Sequence, residues 1–305
     1  LSVSRKDFRV PHTIASAPDF SGVWVPLVTP FRDGAVDHDA LAALARRLAG
    51  EGIAGFVVCG STGEAAALDD EEQLAVLDTV ARAAPALPRI MGLSGCHLGG
   101  MLEKVRRLDG LALAGLLLPA PSYIRPSQAG LQEWFRRLAD ASTLPVVLYD
   151  IPYRTGATLH RDTLLSLAGH PRIAAIKDCG GDAGKTRALI ADGRLQVLAG
   201  EDAQVFDTVA AGGAGAISAS AHIETRRFVQ VVQRLHAGEL AQARALWQPL
   251  LPLIEALFAE PNPGPLKALL AADGAMADAL RAPMTPASQA LRERLHALRA
   301  PLSRR

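Results

Sequence analysis

The chain has 305 residues, a formal net charge of +1 and 49% hydrophobic residues. This balance excludes a disordered segment or a coiled-coil rod, and it gives no electrostatic case for a nucleic-acid or anionic-membrane partner. An aromatic share of 5% argues against stacking platforms for single strands.

The start, Leu1–Ile14, carries Arg5, Lys6, Asp7 and Arg9 and no long apolar core. It reads as a leading arm over residues 1–19 rather than a secretory signal, and the absence of a starting Met suggests a trimmed chain. Short β-rich apolar runs then recur: Val23–Val28, Ile53–Val58, Arg89–Leu93, Ala114–Leu118, Val146–Tyr149, Ile173–Lys177, Gln196–Ala199 and Ala214–Ser218. Each is too short for a typical helix. Helical patterns separate them. In the first, Asp39 is placed to cap, Leu41, Leu44, Ala45 and Leu48 share one face, and Gly50 or Gly52 ends the run. Asp69 with Glu72 three residues on resembles a capping box, and Ser127–Ser142 carries Leu131, Trp134, Phe135 and Leu138 on one face.

Strands joined by helices are normally parallel, with right-handed crossovers. Eight such units is the number that closes a (β/α)8 TIM barrel. An open, doubly wound sheet is the competing architecture, weakened because no Gly-rich dinucleotide fingerprint follows the first strand. The expectation is an α/β barrel over residues 20–224. From Thr225 onward helical segments broken at Gly238, Pro261–Pro265 and Ala282–Pro286 form a C-terminal helical extension, residues 225–305. No apolar run reaches the length of a membrane span. Three cysteines, Cys59, Cys96 and Cys179, without a CxxC, read as those of a reduced, cytoplasmic protein.

In such a barrel, function sits at the carboxyl ends of the strands. Lys177 ends the wholly apolar run Ile173–Ile176. A desolvated lysine lowers its pKa or finds a partner, and a neutral amine there attacks a carbonyl to form a Schiff base. The alternatives are a surface lysine past the strand end, or one paired with Asp178. Gly60-Ser61-Thr62-Gly63-Glu64 is a small, hydroxyl-rich turn. The glycines Gly60 and Gly63 let backbone approach a ligand and successive N–H groups hold an anion, although an ordinary helix-capping turn has the same composition. Tyr149 ends a strand and points to the mouth or into the core. Arg154 is suited to clamp a carboxylate, or is a plain loop arginine. The eight histidines show no HxH or HExxH spacing, so no metal site is expected. No GxSxG elbow or Walker pattern occurs, and no histidine is placed to activate a cysteine.

Taken together, these segments resemble the dihydrodipicolinate synthase / N-acetylneuraminate lyase family of pyruvate-dependent class I aldolases. The matching text is Val25-Pro26-Leu27-Val28-Thr29-Pro30-Phe31, Gly60–Glu64, Arg125-Pro126-Ser127-Gln128, Leu148–Gly156, Ile176-Lys177-Asp178, Gly200-Glu201-Asp202, Gly212–Ser218, Glu260-Pro261-Asn262-Pro263 and Pro283-Met284-Thr285-Pro286. It runs in order from about Phe20 to Ser288. The resemblance implies that Lys177 forms an imine and then an enamine with pyruvate, with no other cofactor. It implies that Tyr149 shuttles protons, that Ser61 links Tyr149 to Tyr123 in a hydroxyl relay, and that Thr62 with adjacent N–H groups holds the pyruvate carboxylate. Tyr123 is then expected to reach a neighbouring subunit's site, Ile217 to line the pocket, and Arg154 to bind the carboxylate of aspartate semialdehyde. A homodimer or homotetramer is implied, with small molecules (pyruvate and an aldehyde) as the remaining partners.

Two features leave the second substrate open between aspartate semialdehyde and another aldehyde or 2-keto acid. Ser61-Thr62 stands where synthases more often carry Thr-Thr, and Asp178-Cys179-Gly180-Gly181 follows the lysine. A silent binding homologue is a third alternative, opposed by the intact Lys177, Tyr149, Tyr123 and Arg154. Lysine-inhibited members of the family carry Ser, two His and a Tyr doublet around the dimer interface; the corresponding positions here are Ala65, Asp70, Gln73 and Ser122, which implies weak or absent inhibition by lysine.

Overall fold

The structure, a computed structural model, describes residues 18–302. Of the arm expected over 1–19, all but Pro18 and Asp19 lies outside the described residues. Each apolar run of the sequence forms a strand: β1 (Gly22–Pro26), β2 (Gly55–Val58), β3 (Arg89–Gly92), β4 (Gly115–Pro119), β5 (Val146–Asp150), β6 (Ile173–Asp178), β7 (Gln196–Ala199) and β8 (Gly215–Ile217). All pairings are parallel, and β1 bonds both β2 and β8, so the sheet closes as a (β/α)8 barrel.

Side chains alternate across the wall as the period of a strand requires. Trp24, Val57, Ile90, Leu117, Val147, Leu198 and Ile217 form the inner core, while Val25, Phe56, Met91, Leu118, Leu148, Ile176 and Val197 face the helices. The floor is closed by Phe20 and Trp24, whose rings lie 5.8 Å apart. The Trp24 indole N–H donates to the Phe20 carbonyl at 2.9 Å. Gln196 holds the entering chain from both sides. It accepts from the Phe20 amide at 2.7 Å and donates to the Pro18 carbonyl at 2.6 Å.

The wall is irregular between β5 and β6. Val146 pairs with Ile173, but Val147 pairs with Ala175, so β6 carries one extra residue there. Ala174 and Ala175 both contribute to the inner cluster. Beyond this bulge the register runs Tyr149↔Lys177 and Asp150↔Asp178.

Helices follow every strand: α1 (His38–Ala49), α2 (Asp70–Ala83), α3 (Leu98–Arg107), α4 (Gln128–Ala141), α5 (Arg161–Leu167), α6 (Ala183–Asp192), α7 (Val205–Ala210) and α8 (Thr225–His236). The stripe Leu41, Leu44, Ala45, Leu48 is buried and Gly50 ends α1. Its cap is Asp37, not Asp39: the Asp37 carboxylate accepts from the Ala40 amide at 3.0 Å, which places Asp39 inside the first turn. The Asp69/Glu72 capping box on α2 is present in both directions. In α4 Leu131, Trp134, Phe135 and Leu138 are buried behind a Ser127 cap.

The end of the strand signals in the sequence puts the barrel's edge between residues 224 and 225. The helix beginning at Thr225 packs on β1 and on α7, so the eighth barrel helix lies on the far side of that boundary. The remaining segment forms α9 (Leu240–Trp247), α10 (Leu251–Leu257), α11 (Gly264–Ala272) and α12 (Gln289–Arg299). A hairpin that the apolar runs do not announce follows β1. Its two-residue strands, Phe31–Arg32 and Ala35–Val36, turn at Asp33-Gly34 with both φ angles positive, 53° and 82°.

The C-terminal segment is tied to the barrel mouth by charge as well as by apolar packing. Lys267 of α11 forms an ion pair with Glu64 in which the two side chains are 0% and 2% exposed. Its ammonium also donates to the Ala279 carbonyl at 2.9 Å and sits 4.4 Å from the centre of the Phe31 ring. Arg281 stacks on the same ring at 4.6 Å and grips Glu72 through two bonds of 2.6 Å. Breaking a buried pair leaves an uncompensated charge. Lys267→Met is therefore expected to lower unfolding free energy by about 3–5 kcal/mol in urea denaturation; a loss below about 1 kcal/mol, the range of exposed pairs, would contradict this placement.

Candidate active site at the barrel mouth

Tyr149 and Lys177 project inward from the neighbouring strands β5 and β6, and the Lys177 Nζ donates to the Tyr149 hydroxyl at 3.3 Å. The ammonium also lies 4.4 Å from the centre of the tyrosine ring. Lys177 is only 5% exposed, which rules out a surface lysine. It is not paired with Asp178 either. Successive strand residues face opposite sides, so Asp178 points outward and meets Lys185 at 3.3 Å. Burial holds the Lys177 amine below its ordinary value of 10.5, against the opposing pull of nearby acids including Asp202 and Glu201. Burial also pushes the Tyr149 phenol well above 10.0, with a hydrogen bond to Ser61 working the other way. The pair thus consists of an amine biased toward its neutral form and a phenol that keeps its proton.

The turn after β2 supplies the facing wall. Ser61 and Thr62 line the cavity. Asn262, from the segment before α11, donates to the Thr62 hydroxyl at 3.0 Å and fixes it. Gly60 lines an adjoining, more apolar cavity of about 350 Å³. Gly63 lines neither, contrary to its expected role in binding. Its amide turns back to the Gly60 carbonyl at 3.0 Å, its own carbonyl accepts from Thr29 at 2.7 Å, and a Cβ here would fall 2.9 Å from the Leu27 carbonyl oxygen. Glycine is required at 63 by this close approach of backbone.

The cavity over Lys177 has a volume of about 440 Å³ and is bordered by Tyr153, Arg154, Glu201, Ile217 and the segment Phe258–Asn262. Arg154 lies in the one-turn helix Pro152–Thr155 after β5, with its guanidinium 5.9 Å from the Tyr153 ring. Tyr123 is 92% exposed and lines neither cavity, so this chain alone does not bring it to Lys177. Its φ is +74°, and Cys59, Glu64 and Arg125 nearby in the mouth loops are also left-handed. Non-glycine residues in that region carry local strain. The two buried cysteines, Cys59 and Cys179, are poor nucleophiles. Burial pushes the Cys59 thiol up to about 12 and Cys179 well above its usual value, while Cys96 is on an exposed loop.

Three residues of the site were not picked out from the sequence as site residues. Glu201 directs a buried Oε1 that has no hydrogen-bond partner among the described residues; its place at the end of β7 was the available signal. Asn262 comes from a segment far along the chain, and only its Asn-Pro context marked it. Tyr153 stands in the strand-end segment Tyr149–Arg154, but nothing local separates it there from its neighbours.

A closed parallel barrel with a desolvated lysine at the carboxyl end of β6, a tyrosine hydroxyl in reach and an arginine at the rim defines a (β/α)8-barrel enzyme. The chain belongs to the dihydrodipicolinate synthetase family, whose model matches residues 19–300. It is 40% identical over 281 residues to 4-hydroxy-tetrahydrodipicolinate synthase of Sorangium cellulosum, covering 90% of this chain and 93% of that one. It is 37% identical over 279 residues to 4-hydroxy-tetrahydrodipicolinate synthase 2 of Clostridium acetobutylicum, covering 90% and 98%. Among solved structures, the chloride-inhibited dihydrodipicolinate synthase of Acinetobacter baumannii complexed with pyruvate superimposes with a TM-score of 0.89 at 33% identity, covering 92% of this chain and 97% of that one. No helix among the described residues is long and apolar enough to cross a membrane.

Proposed function

We propose that this protein is a Schiff-base lyase that condenses pyruvate with L-aspartate 4-semialdehyde to 4-hydroxy-tetrahydrodipicolinate, in the lysine and diaminopimelate pathway of the cytoplasm. The observation that carries the reading is the buried Lys177 amine, biased toward neutrality, 3.3 Å from the Tyr149 hydroxyl. The lone pair of Nζ attacks the ketone carbon of pyruvate. Tyr149 donates a proton to the departing oxygen, water leaves, and the C=N bond forms. Loss of a methyl proton to the Tyr149 oxygen restores the phenol and gives the enamine, whose carbon attacks the aldehyde; the amino group of the semialdehyde then adds to the imine carbon, closing the ring and releasing the Lys177 amine. The imine nitrogen is the electron sink, so no other cofactor is needed. Thr62, held by Asn262, suits the pyruvate carboxylate, and Ser61, hydrogen-bonded to Tyr149, suits a proton relay. Ile217 closes the pocket beside Lys177, and Arg154 at the rim is suited to the carboxylate of the aldehyde substrate. Exposed Tyr123 (92%) and Ile124 (54%) support self-association as a homodimer or homotetramer in which Tyr123 completes a neighbouring site.

Borohydride reduction in the presence of pyruvate is expected to add mass to Lys177, and Lys177→Ala to abolish it. Because burial lowers the amine's pKa, the trapping rate should rise with pH and level off below the ordinary lysine value of 10.5. A rate still climbing at that pH contradicts the assignment.

Arg154→Ala should leave the pyruvate adduct intact and raise KM for aspartate semialdehyde by about tenfold or more, the cost of losing a charge-assisted carboxylate contact. The check is an assay coupled to turnover of pyruvate and aspartate semialdehyde, run beside cleavage of N-acetylneuraminate. Faster cleavage of the sugar acid would overturn the choice of second substrate.

Free lysine is expected to inhibit weakly or not at all. Gln73 is occupied by the Ala65 and Leu68 carbonyls at 3.1 and 3.2 Å, and Asp70 by Lys104 at 2.8 Å. Strong inhibition by submillimolar lysine sinks this reading.

A further inference from the structure

Behind the Lys177–Tyr149 pair, on the outer face of the same two strands, lies a second set of charges that imine formation does not use. The bulge that brings Tyr149 beside Lys177 also sets Asp150 beside Asp178. Both carboxylates are almost fully buried, with side chains 0% and 4% exposed. Two like charges side by side in such a place repel strongly. Lys185 enters between them from the first turn of α6. It forms an ion pair with Asp150, lies 3.3 Å from Asp178 and is itself 4% exposed. Further donors to the pair are the Leu159 amide on Asp150 at 3.0 Å, and the Gly180 amide at 2.9 Å and the Thr186 hydroxyl at 2.7 Å on Asp178. Gly180 leaves the room for this, since a Cβ there would fall 2.1 Å from the Lys185 ammonium.

We propose that Lys185 is a positioning residue for imine formation: by neutralising the repulsion between Asp150 and Asp178 it keeps the ends of β5 and β6 together and so fixes the spacing of Tyr149 and Lys177. The linkage is short. Asp150 and Asp178 are the residues immediately after Tyr149 and Lys177, and the backbone beyond them continues the pairing, with the Cys179 amide donating to the Asp150 carbonyl at 2.8 Å. Without the ammonium, the two desolvated carboxylates repel across these strand ends or share a proton between them, and either outcome changes the spacing. A proton donor displaced by a fraction of its hydrogen-bond length serves the amine poorly.

The inference rests on the reading of Lys177 and Tyr149 as the imine-forming pair, so the test begins with the wild-type protein. If it forms no borohydride-trapped pyruvate adduct, that reading fails and Lys185 has no reaction to serve. If it does, Lys185→Met, Tyr149→Phe and the double variant are compared for the rate of trapping at saturating pyruvate, per folded site measured by circular dichroism. Lys185→Met is expected to slow trapping about tenfold or more. In the Tyr149→Phe background the same change should cost little further, because the group being positioned is gone. Lys185→Met with Asp178→Asn, which removes the repulsion as well as the ammonium, should recover most of the rate. Trapping unchanged in folded Lys185→Met, or a full and independent loss in the Tyr149→Phe background, overturns the proposal. Should Lys185→Met fold too poorly to assay, the Asp178→Asn double variant still decides: a folded protein that traps as slowly as Tyr149→Phe counts against it.

Discussion

The barrel's chemistry hangs on the register between β5 and β6. A closed sheet leaves each strand only one face toward the interior, and a shift of one residue exchanges that face for the other. Here β6 takes in one extra residue at Ala174, so that Lys177 rather than Ile176 comes level with Tyr149. With regular pairing from Ile173 the tyrosine would stand opposite an isoleucine, and the two polar groups would not meet in one layer. The bulge is placed low in the wall among small alanines, where an extra residue is accommodated without displacing a large side chain.

Desolvation then sets the protonation of the groups that register brings together. The inner core beneath the pair is apolar, and the amine that closes it cannot be solvated as an ammonium. The same burial keeps the phenol protonated and the Cys179 thiol inert. One physical cause thus biases the site toward a neutral amine with a protonated phenol beside it, the pair on which the proposed imine chemistry rests. On the outer face the opposite problem arises, with carboxylates cut off from water, and it is met by an ammonium and by backbone and hydroxyl donors.

The mouth is assembled from parts distant in the chain. The turn after β2 and the start of α2 are held by Lys267 on Glu64, Arg281 on Glu72 and Asn262 on Thr62. The C-terminal segment is therefore structural support and cavity wall together, since Phe258–Asn262 border the space over Lys177. Cys59 and Glu64 hold left-handed backbone conformations between these grips, a strain that the surrounding contacts must sustain.

Much of this was legible in the residues themselves. Apolar runs of strand length, helical stripes such as Leu41–Leu48, and cap signals such as Asp69/Glu72 follow from local periodicity and hydrogen bonding, which a sequence states directly. The lone Lys177 after four apolar residues marked the site for the same reason: a charge at the end of a buried strand needs a purpose or a partner. Local signals were weaker where two residues compete for one role, as with Asp37 and Asp39 at the start of α1. The eventual cap is the one whose carboxylate reaches the Ala40 amide once the Phe31–Val36 hairpin has turned. By itself, then, the sequence determined the eight strands, the barrel they close and the lysine at its mouth. Only the tertiary structure decided which side chains share a layer, that Asp178 serves Lys185 and not Lys177, that Gly63 is a packing glycine, and that Asn262 and Glu201 border the cavity. Those are relations between segments, set by register and by burial across the closed sheet, and no pattern within a single segment carries them.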